Sequence, residues 1–258
     1  MKYKEIASVI SQECIAPSVY SMWIKTEKIA KEAAAGQFLS LYCQDASRLL
    51  PRPISICEIC REEGKLRIVY RTAGKGTNEF SAYAQGDKIE ILGPLGNGFS
   101  LREKSAMLIA GGIGIPPMVE LTKELRENGI DNIISVIGYR DKNLFLKEEL
   151  EKYSRVYIAT EDGSAGTKGN VMDTIHEHEL MAEAIYSCGP KPMLRAVKEF
   201  GISREIETQI SLEERMACGI GACLACVCKS SEVDAHSHVH NKRVCKDGPV
   251  FDAREVEL

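Results

Sequence analysis

The sequence predicts a small antiparallel β-barrel, followed by a doubly wound α/β domain and a small cysteine-rich C-terminal lobe. Three observations lead to this prediction. Short β-rich segments fill the first hundred residues, strands alternate with helices over roughly the next hundred, and half of the ten cysteines lie in the last 41 residues. We therefore place three domains at 1–100, 101–210 and 211–258.

Composition and charge exclude several classes of function before any motif is considered. The 258 residues include 37 acidic and 33 basic side chains, and this net charge of −4 provides no basic field for nucleic acid. The longest nearly apolar run, 106–119, is too short to cross a bilayer. The first residues lack the apolar stretch of a secretory signal. We expect a cytoplasmic enzyme or carrier that binds neither nucleic acid nor membrane.

The barrel is predicted from four β-rich segments bounded by glycine, proline or charged residues. Several such strands at close spacing are typical of a small antiparallel barrel. A short helix, predicted over 77–84, follows Gly74-Lys75-Gly76 and interrupts the strands. The four segments are 36–43, 53–59, 65–72 and 87–94.

The second domain is predicted from strand–helix alternation, which builds a parallel sheet with right-handed crossovers. A buried strand over 105–112 runs into glycines, and the amphipathic helix after it ends at Gly129. The remaining strands are predicted over 132–140, 155–160 and 183–190, and the remaining helices over 144–153 and 191–200.

The cysteines of the lobe have the spacing C-x4-C-x2-C with a fourth cysteine far downstream, which is typical of a plant-type [2Fe–2S] cluster. Glycines and alanines between them would let the loop curl around a cluster and point backbone N–H groups at the sulfurs. A structural zinc site is the alternative, although such sites usually pair two CxxC knuckles. The expected metal ligands are Cys218, Cys223, Cys226 and Cys245.

Two other features of the lobe have more than one interpretation. Cys228 would face away from Cys226 in an extended chain, so we interpret it as a buried thiol, with ligand exchange as the alternative. His236, His238 and His240 could form a metal clip or replace cluster ligands. A polar hairpin loop is the simpler interpretation, because no Rieske-like pairing of Cys and His accompanies them.

Two motifs in the barrel indicate a bound dinucleotide. Arg52-Pro53-Ile54-Ser55 begins a strand, where the arginine fork suits a diphosphate and the serine hydroxyl could reach a ring nitrogen. Gly74-Lys75-Gly76-Thr77 opens the predicted helix, whose first N–H groups could bind phosphate. An arginine and a serine on a strand are most often surface residues, so the indication depends on finding both motifs in one barrel.

Three glycine-bearing turns follow strands of the second domain, at 111–117, 161–164 and 188–190. The first lies between a strand and a helix, as a phosphate-binding turn requires. Proline nevertheless replaces the last glycine of the G-x-G-x-x-G fingerprint, and no acidic residue ends the next strand. Each turn alone could be a plain tight turn. Because ligands gather at the carboxyl ends of parallel strands, the three together predict a pocket.

The barrel, R-P-x-S, G-G-x-G-x-P-P and C-G-P, in this order, resemble the ferredoxin–NADP reductase superfamily. The C-G-x-G-x-C-x-x-C tail narrows the resemblance to the electron-transfer subunits of NAD-dependent, B-type dihydroorotate dehydrogenases, over essentially the whole chain. Pro53-Ile54 replaces the aromatic residue that often follows the flavin arginine, and the chain ends in the cluster lobe rather than at a flavin-stacking aromatic. Both departures fit the narrower branch.

The resemblance implies three cofactor sites: FAD in the barrel, NAD over the 111–117 turn, and a [2Fe–2S] cluster on the four cysteines of the lobe. The implied flavin residues are Arg52, Pro53, Ile54, Ser55, Val69, Tyr70, Arg71, Gly76 and Thr77. The implied nucleotide residues are Gly111, Gly112, Gly114, Cys188, Gly189 and Pro190, with the last three near the nicotinamide.

The resemblance also implies the reaction. Electrons would pass from the FMN of a separate catalytic subunit, through the cluster and FAD, to NAD+ in pyrimidine synthesis, within a dimer of heterodimers. No catalytic acid or base is expected in this chain, because the chemistry belongs to the cofactors.

Two rival functions share part of this pattern. A related reductase subunit that serves ferredoxin or a sulfur-reducing hydrogenase has the same motifs, and Cys245 within R-V-C-K-D-G-P favours the dihydroorotate branch by resemblance. A zinc-stabilised binding module without redox activity would leave the glycine turns and R-P-x-S unexplained.

Overall fold

The computed structural model describes residues 1–102, 104–233 and 238–258. The first hundred residues form a closed six-stranded antiparallel barrel, as predicted, in the order β1-β2-β5-β4-β3-β6, with β6 pairing back to β1. Buried aliphatic side chains from every strand fill its interior. The strands are β1 (Tyr3–Ala16), β2 (Val19–Lys25), β3 (Phe38–Leu41), β4 (Arg52–Cys60), β5 (Lys65–Arg71) and β6 (Lys88–Leu95), with helices α1 (Glu27–Glu32) and α2 (Lys75–Phe80).

Helix α2 lies earlier in the chain than the predicted span 77–84. The hydroxyl of Thr77 accepts hydrogen bonds from the N–H groups of Ala73 (2.8 Å) and Gly74 (3.2 Å), so the helix is capped at Gly74. At the other end, the side-chain amide of Gln12 donates to the carbonyl of Phe80 at 3.1 Å. A side chain from β1 therefore satisfies a carbonyl where the helix ends.

The second domain confirms the doubly wound prediction. Its parallel strands are apolar on both faces, and two buried clusters lie on opposite sides of the sheet. The strands are β7 (Ala106–Gly111), β8 (Ile133–Tyr139), β9 (Arg155–Thr160), β10 (Thr167–Lys168), β11 (Ala184–Cys188) and β12 (Glu207–Ser211). The helices are α3 (Pro116–Glu127), α4 (Lys147–Glu151), α5 (Val171–Glu177) and α6 (Lys191–Ser203). Helix α4 is shorter than the predicted 144–153, and it begins only at Lys147 because Leu146 has a left-handed φ of 63°.

The C-terminal lobe consists of a short hairpin, β13 (Val227–Lys229) and β14 (Asn241–Arg243), followed by β15 (Val250–Asp252). Strand β15 pairs antiparallel with β12 and completes a seven-stranded sheet of order β10-β9-β8-β7-β11-β12-β15. The domain boundaries at 1–100, 101–210 and 211–258 stay a prediction, and the lobe contributes the edge strand of the preceding sheet.

One apolar cluster joins the three parts of the chain. It contains Phe38 and Leu95 from the barrel, Leu194 from α6, and Val244 and Phe251 from the lobe. Burial of such side chains contributes about 1.5–3 kcal/mol each, so the lobe is packed firmly against both domains. Within the described residues, no helix is long and apolar enough to cross a membrane.

Candidate cofactor sites and the family of the chain

The predicted flavin motif lies where two neighbouring barrel strands separate. Strands β4 and β5 pair from Cys60 and Lys65 to Ile56 and Ile68, and in the described chain their ladder ends there. The continuation of β4 pairs with β3, and the continuation of β5 pairs with β2. The facing edges of residues 52–55 and 69–71 therefore leave backbone groups available between them, beside R-P-x-S. We call this space the strand gap.

The structure brings Arg52 and Gly76 together at one end of the strand gap. A β-carbon on Gly76 would lie 2.6 Å from Nε and 3.0 Å from Cζ of Arg52, so the guanidinium rests on glycine backbone. Arg52 also donates to the carbonyl of Leu50 at 2.5 Å. The hydroxyl of Thr77 caps α2, and the assignment of this residue to FAD stays a prediction.

The three residues of β5 at the strand gap differ in exposure. The side chains of Val69 and Tyr70 are buried, and the hydroxyl of Tyr70 donates to Gln12 at 2.7 Å. Burial raises the pKa of Tyr70, so its hydroxyl stays protonated. We therefore expect these two residues to serve a flavin through their backbone. Arg71 is exposed and reaches the nucleotide domain, where a β-carbon on Gly112 would lie 3.3 Å from its Nη2.

The turns after β7 and β11 are in direct contact. A β-carbon on Gly114 would overlap the carbonyl oxygen of Cys188 and lie 2.7 Å from Cα of Gly189. Pro190 lies 3.5 Å from the same position on Gly111. Only glycine permits this approach of two backbones, so the two predicted nucleotide motifs form one surface. Burial raises the pKa of the Cys188 thiol to about 12.

The third glycine turn lies farther along the same edge of the sheet. The N–H of Glu161 donates to the carbonyl of Tyr139 at 3.2 Å, and that of Asp162 to the carbonyl of Arg140 at 3.3 Å. The turn after β9 is thus held to the end of β8, the strand that neighbours β7.

The cysteine loop curls against the barrel. Gly219 and Gly221 have φ values of 68° and 85°, which L-residues rarely adopt. A β-carbon on Gly219 would lie 2.9 Å from Oγ of Ser40 and 3.2 Å from Cδ1 of Leu95. Ser40 is in turn the register partner of Pro53 in R-P-x-S. One strand therefore separates the cysteine loop from the flavin motif.

Backbone N–H groups point at the sulfurs of the predicted ligands. Ala222 donates to Sγ of Cys218 at 3.3 Å, Cys218 to Sγ of Cys223 at 3.5 Å, and Cys245 to Sγ of Cys226 at 3.4 Å. Among the described residues, no three His, Cys, Asp or Glu side chains are grouped closely enough to hold a metal ion. Four thiols, three of which accept N–H hydrogen bonds at their sulfurs, nevertheless form the donor set that an iron–sulfur cluster requires.

The local environment divides these thiols into two kinds. Partial burial would raise the pKa of Cys218, but backbone hydrogen bonds from the loop outweigh it and lower the pKa to about 6. Burial, together with neighbouring Cys226, raises the pKa of Cys245 to about 12. Cys226 and Cys245 are buried and Cys223 is exposed, so the ligand set extends from the core to the surface.

The structure also describes Cys228 and two of the three histidines of the lobe. Cys228 is half-buried, donates to the carbonyl of Lys242 at 3.5 Å, and has a pKa raised to about 11 by burial. His238 and His240 are exposed in the segment that connects the strands of a hairpin. His236 lies outside the described residues.

Sequence reasoning missed two buried polar residues, Ser40 beside the cysteine loop and Glu120 between α3 and β4. Ser40 has no signal beyond its place in a short strand. Glu120 does have one, because a carboxylate interrupts the otherwise apolar start of α3.

Comparison with known proteins identifies the family. The family model described as the iron-sulfur cluster binding domain of dihydroorotate dehydrogenase B matches residues 213–257, and the oxidoreductase NAD-binding domain model matches residues 108–199. The electron transfer subunit of dihydroorotate dehydrogenase B (NAD(+)) from Bacillus velezensis is 44% identical over 257 residues, covering 97% of this chain and 98% of that protein. The protein of the same name from Listeria innocua is 46% identical over 255 residues, covering 97% of each.

Solved structures have the same fold. The NADH-dependent reduced ferredoxin-NADP oxidoreductase superimposes with a TM-score of 0.88 at 29% identity, covering 98% of this chain and 90% of that chain. A ferredoxin NADP+ reductase from Neisseria gonorrhoeae matches with a TM-score of 0.65 at 18% identity, covering 78% of this chain and 91% of that one, and supports the fold alone. The more similar, full-length relatives do not favour a subunit for ferredoxin or a hydrogenase. The chain belongs to the family of electron transfer subunits of NAD-dependent dihydroorotate dehydrogenase B, flavin- and iron–sulfur-dependent oxidoreductases.

Proposed function

We propose that this chain transfers electrons between the FMN of a dihydroorotate-oxidising partner subunit and NAD+, with FAD in the strand gap and a [2Fe–2S] cluster on the cysteine loop. One arrangement carries the proposal. Gly219 of the cysteine loop packs on Ser40, which pairs with Pro53, while Arg71 reaches Gly112 of the nucleotide turn. A flavin in the strand gap would then lie between the other two sites.

The residues around the strand gap suit a dinucleotide. The guanidinium of Arg52 would bind the diphosphate, as a planar fork with several donors does. Backbone groups of residues 54–55 and 69–71 would hydrogen-bond the ring, because the ladder between β4 and β5 ends before them and leaves their facing edges unpaired in the described chain. Bound FAD would supply the conversion between the paired electrons of a nicotinamide and the single electrons of an iron–sulfur cluster.

The nucleotide turns suit NAD(H) in a similar way. Gly111 to Gly114 present backbone between β7 and α3, and Cys188 to Pro190 lie directly beside them. The protonated thiol of Cys188 brings no negative charge to this edge of the sheet. No residue of the chain is assigned as a general acid or base.

The cysteine loop also supports a partner subunit. Ile220 and Leu224, within the loop itself, are 44% and 51% exposed. Apolar side chains that surround a redox centre at the surface are typical of a docking site. The FMN of the partner and a dimer of heterodimers come from the resemblance. None of the ten cysteines forms a disulfide, which supports a reducing, cytoplasmic location.

Purification with and without the partner subunit tests the proposal. The isolated chain should show flavin absorption and an iron and sulfide content equal to one [2Fe–2S] cluster per FAD. It should reduce NAD+ with dihydroorotate only when the partner is present. A colourless preparation that contains zinc, or NAD+ reduction that does not depend on the partner, would contradict the proposal.

A further inference from the structure

A buried carboxylate connects the nucleotide domain to the flavin strand. Glu120 in α3 is fully buried, and its Oε2 accepts a hydrogen bond from the N–H of Ile59 in β4 at 2.8 Å. Lys123, one turn along α3, donates to the carbonyl of Ile59 at 3.3 Å and lies 3.4 Å from Oε1 of Glu120. Both backbone groups of Ile59 are therefore bound by the same helix.

The two hydrogen bonds from α3 to Ile59 take the place of hydrogen bonds to a neighbouring strand. The ladder between β3 and β4 covers only residues 52–55 of β4, so the outer edge of β4 at Ile59 faces α3 instead. An apolar side chain at position 120 would pack there without the free-energy cost of burying a carboxylate. A buried backbone N–H without an acceptor would still destabilise the fold, and Glu120 supplies that acceptor to Ile59.

The connection lies between the two elements that carry the cofactor motifs. Glu120 is five residues after Ile115, where the nucleotide turn leads into α3, which is about 8 Å along a helix. Ile59 is four residues after Ser55, about 13 Å along a strand. A tilt of α3 on β4 would consequently move the nucleotide turn relative to the strand gap.

We propose that Glu120 is a positioning residue for hydride transfer between NADH and the flavin, because it fixes α3 on β4. This inference rests on the proposed function. A misplacement of about 1 Å between reacting groups can slow a reaction on the order of a hundredfold, so a loosened helix would affect the reaction more than nucleotide binding.

The test compares variants of the full-length, FAD-loaded chain mixed rapidly with NADH. Glu120→Leu should slow flavin reduction at saturating NADH by roughly tenfold to a hundredfold, with less than about a threefold change in the apparent Kd for NADH. The long-wavelength charge-transfer absorbance between nicotinamide and flavin should weaken. Glu120→Gln keeps an oxygen for the N–H of Ile59 and should recover most of the rate.

Thr122→Val is the matched control. Thr122 is equally buried on α3, but its hydroxyl donates only to the carbonyl of Met118 within the helix, at 2.6 Å. This variant should leave the rate and the charge-transfer absorbance within about twofold of wild type, although it loses a hydrogen bond within α3. Amide hydrogen exchange at Ile59, measured without NADH, should accelerate at least tenfold in Glu120→Leu and remain unchanged in Thr122→Val.

Two results would overturn the inference. A wild-type rate and absorbance in Glu120→Leu would show that the connection does not position the nucleotide. Equal slowing in Thr122→Val would mean that any loss of stability in α3 has the same effect. Failure of the wild-type flavin to accept hydride from NADH would refute the proposed function itself, and the inference with it.

Discussion

The close contact between Arg52 and Gly76 is possible because glycine has no side chain. The backbone of Gly76 is not in a left-handed conformation, so alanine would be tolerated there by the chain itself. Glycine is required because of Arg52, whose Nε lies 2.6 Å from the position that a β-carbon of residue 76 would occupy. Glycine at this position therefore determines the position of the guanidinium that we propose to bind a diphosphate.

Gly76→Ala should displace Arg52 and weaken FAD binding while the barrel remains folded. Hydrogen bonds to charged groups contribute about 1.5–3 kcal/mol, so we expect roughly tenfold to a hundredfold weaker binding in a fluorescence titration of the apoprotein with FAD. The control is Gly74→Ala, because no atom lies within 4 Å of a β-carbon at Gly74. Equal loss of affinity in both variants would mean that flexibility of the loop, and not the position of Arg52, sets the affinity.

Local motifs were predictable at this scale, and long-range contacts were not. The cysteine spacing and R-P-x-S are short patterns whose chemistry is visible in the residues themselves. The contact of Ser40 with Gly219 joins distant parts of the sequence, and neither residue type signals it. The contact of Glu120 with Ile59 depends on the angle at which α3 crosses the barrel, which no periodicity encodes.

At the scale of elements, α3 combines an apolar face with one buried charge. Burial is the main cause that raises the pKa of Glu120, and Glu124 adds to it, whereas the N–H of Ile59 and Lys123 oppose it. The folded protein thus binds a proton at Glu120 more tightly than the unfolded chain does. The stability gained from this proton is present below the ordinary glutamate pKa and is lost as the pH rises through the folded value.

The unfolding free energy of the wild type, relative to that of Glu120→Gln, should therefore decrease as the pH is raised from 5 to 8. The slope can reach about 1.4 kcal/mol per pH unit, because one group titrates. Urea denaturation of both variants across this range measures the difference, and comparison of the two cancels effects on the cofactors. If the unfolding free energy of the wild type, relative to that of Glu120→Gln, increased with pH instead, the interactions with Lys123 and the N–H of Ile59 would outweigh burial in setting the pKa of Glu120.

Strands formed by continuous apolar runs were predicted well, and strands held by tertiary contacts were not. The buried parallel strands are continuous apolar runs, so β7, β8, β9 and β11 were predicted with small errors at their ends. Strand β1 buries only Ala7 and Val9 among its 14 residues, which leaves little alternation to detect. Strand β15 has three residues and exists because β12 offers an open edge.

At the scale of the whole molecule, the cysteine loop and the nucleotide turns lie on different sides of the flavin motif. The loop contacts Ser40 and Leu95 of the barrel, and the nucleotide turn contacts Arg71. Neither contact depends on the other. The residues that we propose for the path of single electrons and for the path of hydride are therefore separate, and it should be feasible to interrupt one path without the other.

Cys226→Ser tests this separation. The thiol of Cys226 is buried and accepts a hydrogen bond from the N–H of Cys245, and no residue assigned to FAD or NAD(H) touches it in the contacts of the described chain. We expect the variant, assembled with its partner, to lose at least about 99% of NAD+ reduction by dihydroorotate. We expect it to keep more than about half of the NADH-dependent reduction of a small artificial dye, because that reaction needs only the flavin and nucleotide sites.

Cys228→Ser is the matched control, because Cys228 is a thiol of the same lobe whose bond is to the carbonyl of Lys242 rather than to the other cysteines. It should retain both activities. Loss of dye reduction together with NAD+ reduction in Cys226→Ser would mean that the four cysteines hold the barrel and the sheet together and do not conduct electrons. The apolar cluster that contains Cys226, Leu95 and Leu194 is the contact through which such a structural role would act, so the thermal unfolding of both variants distinguishes the two explanations.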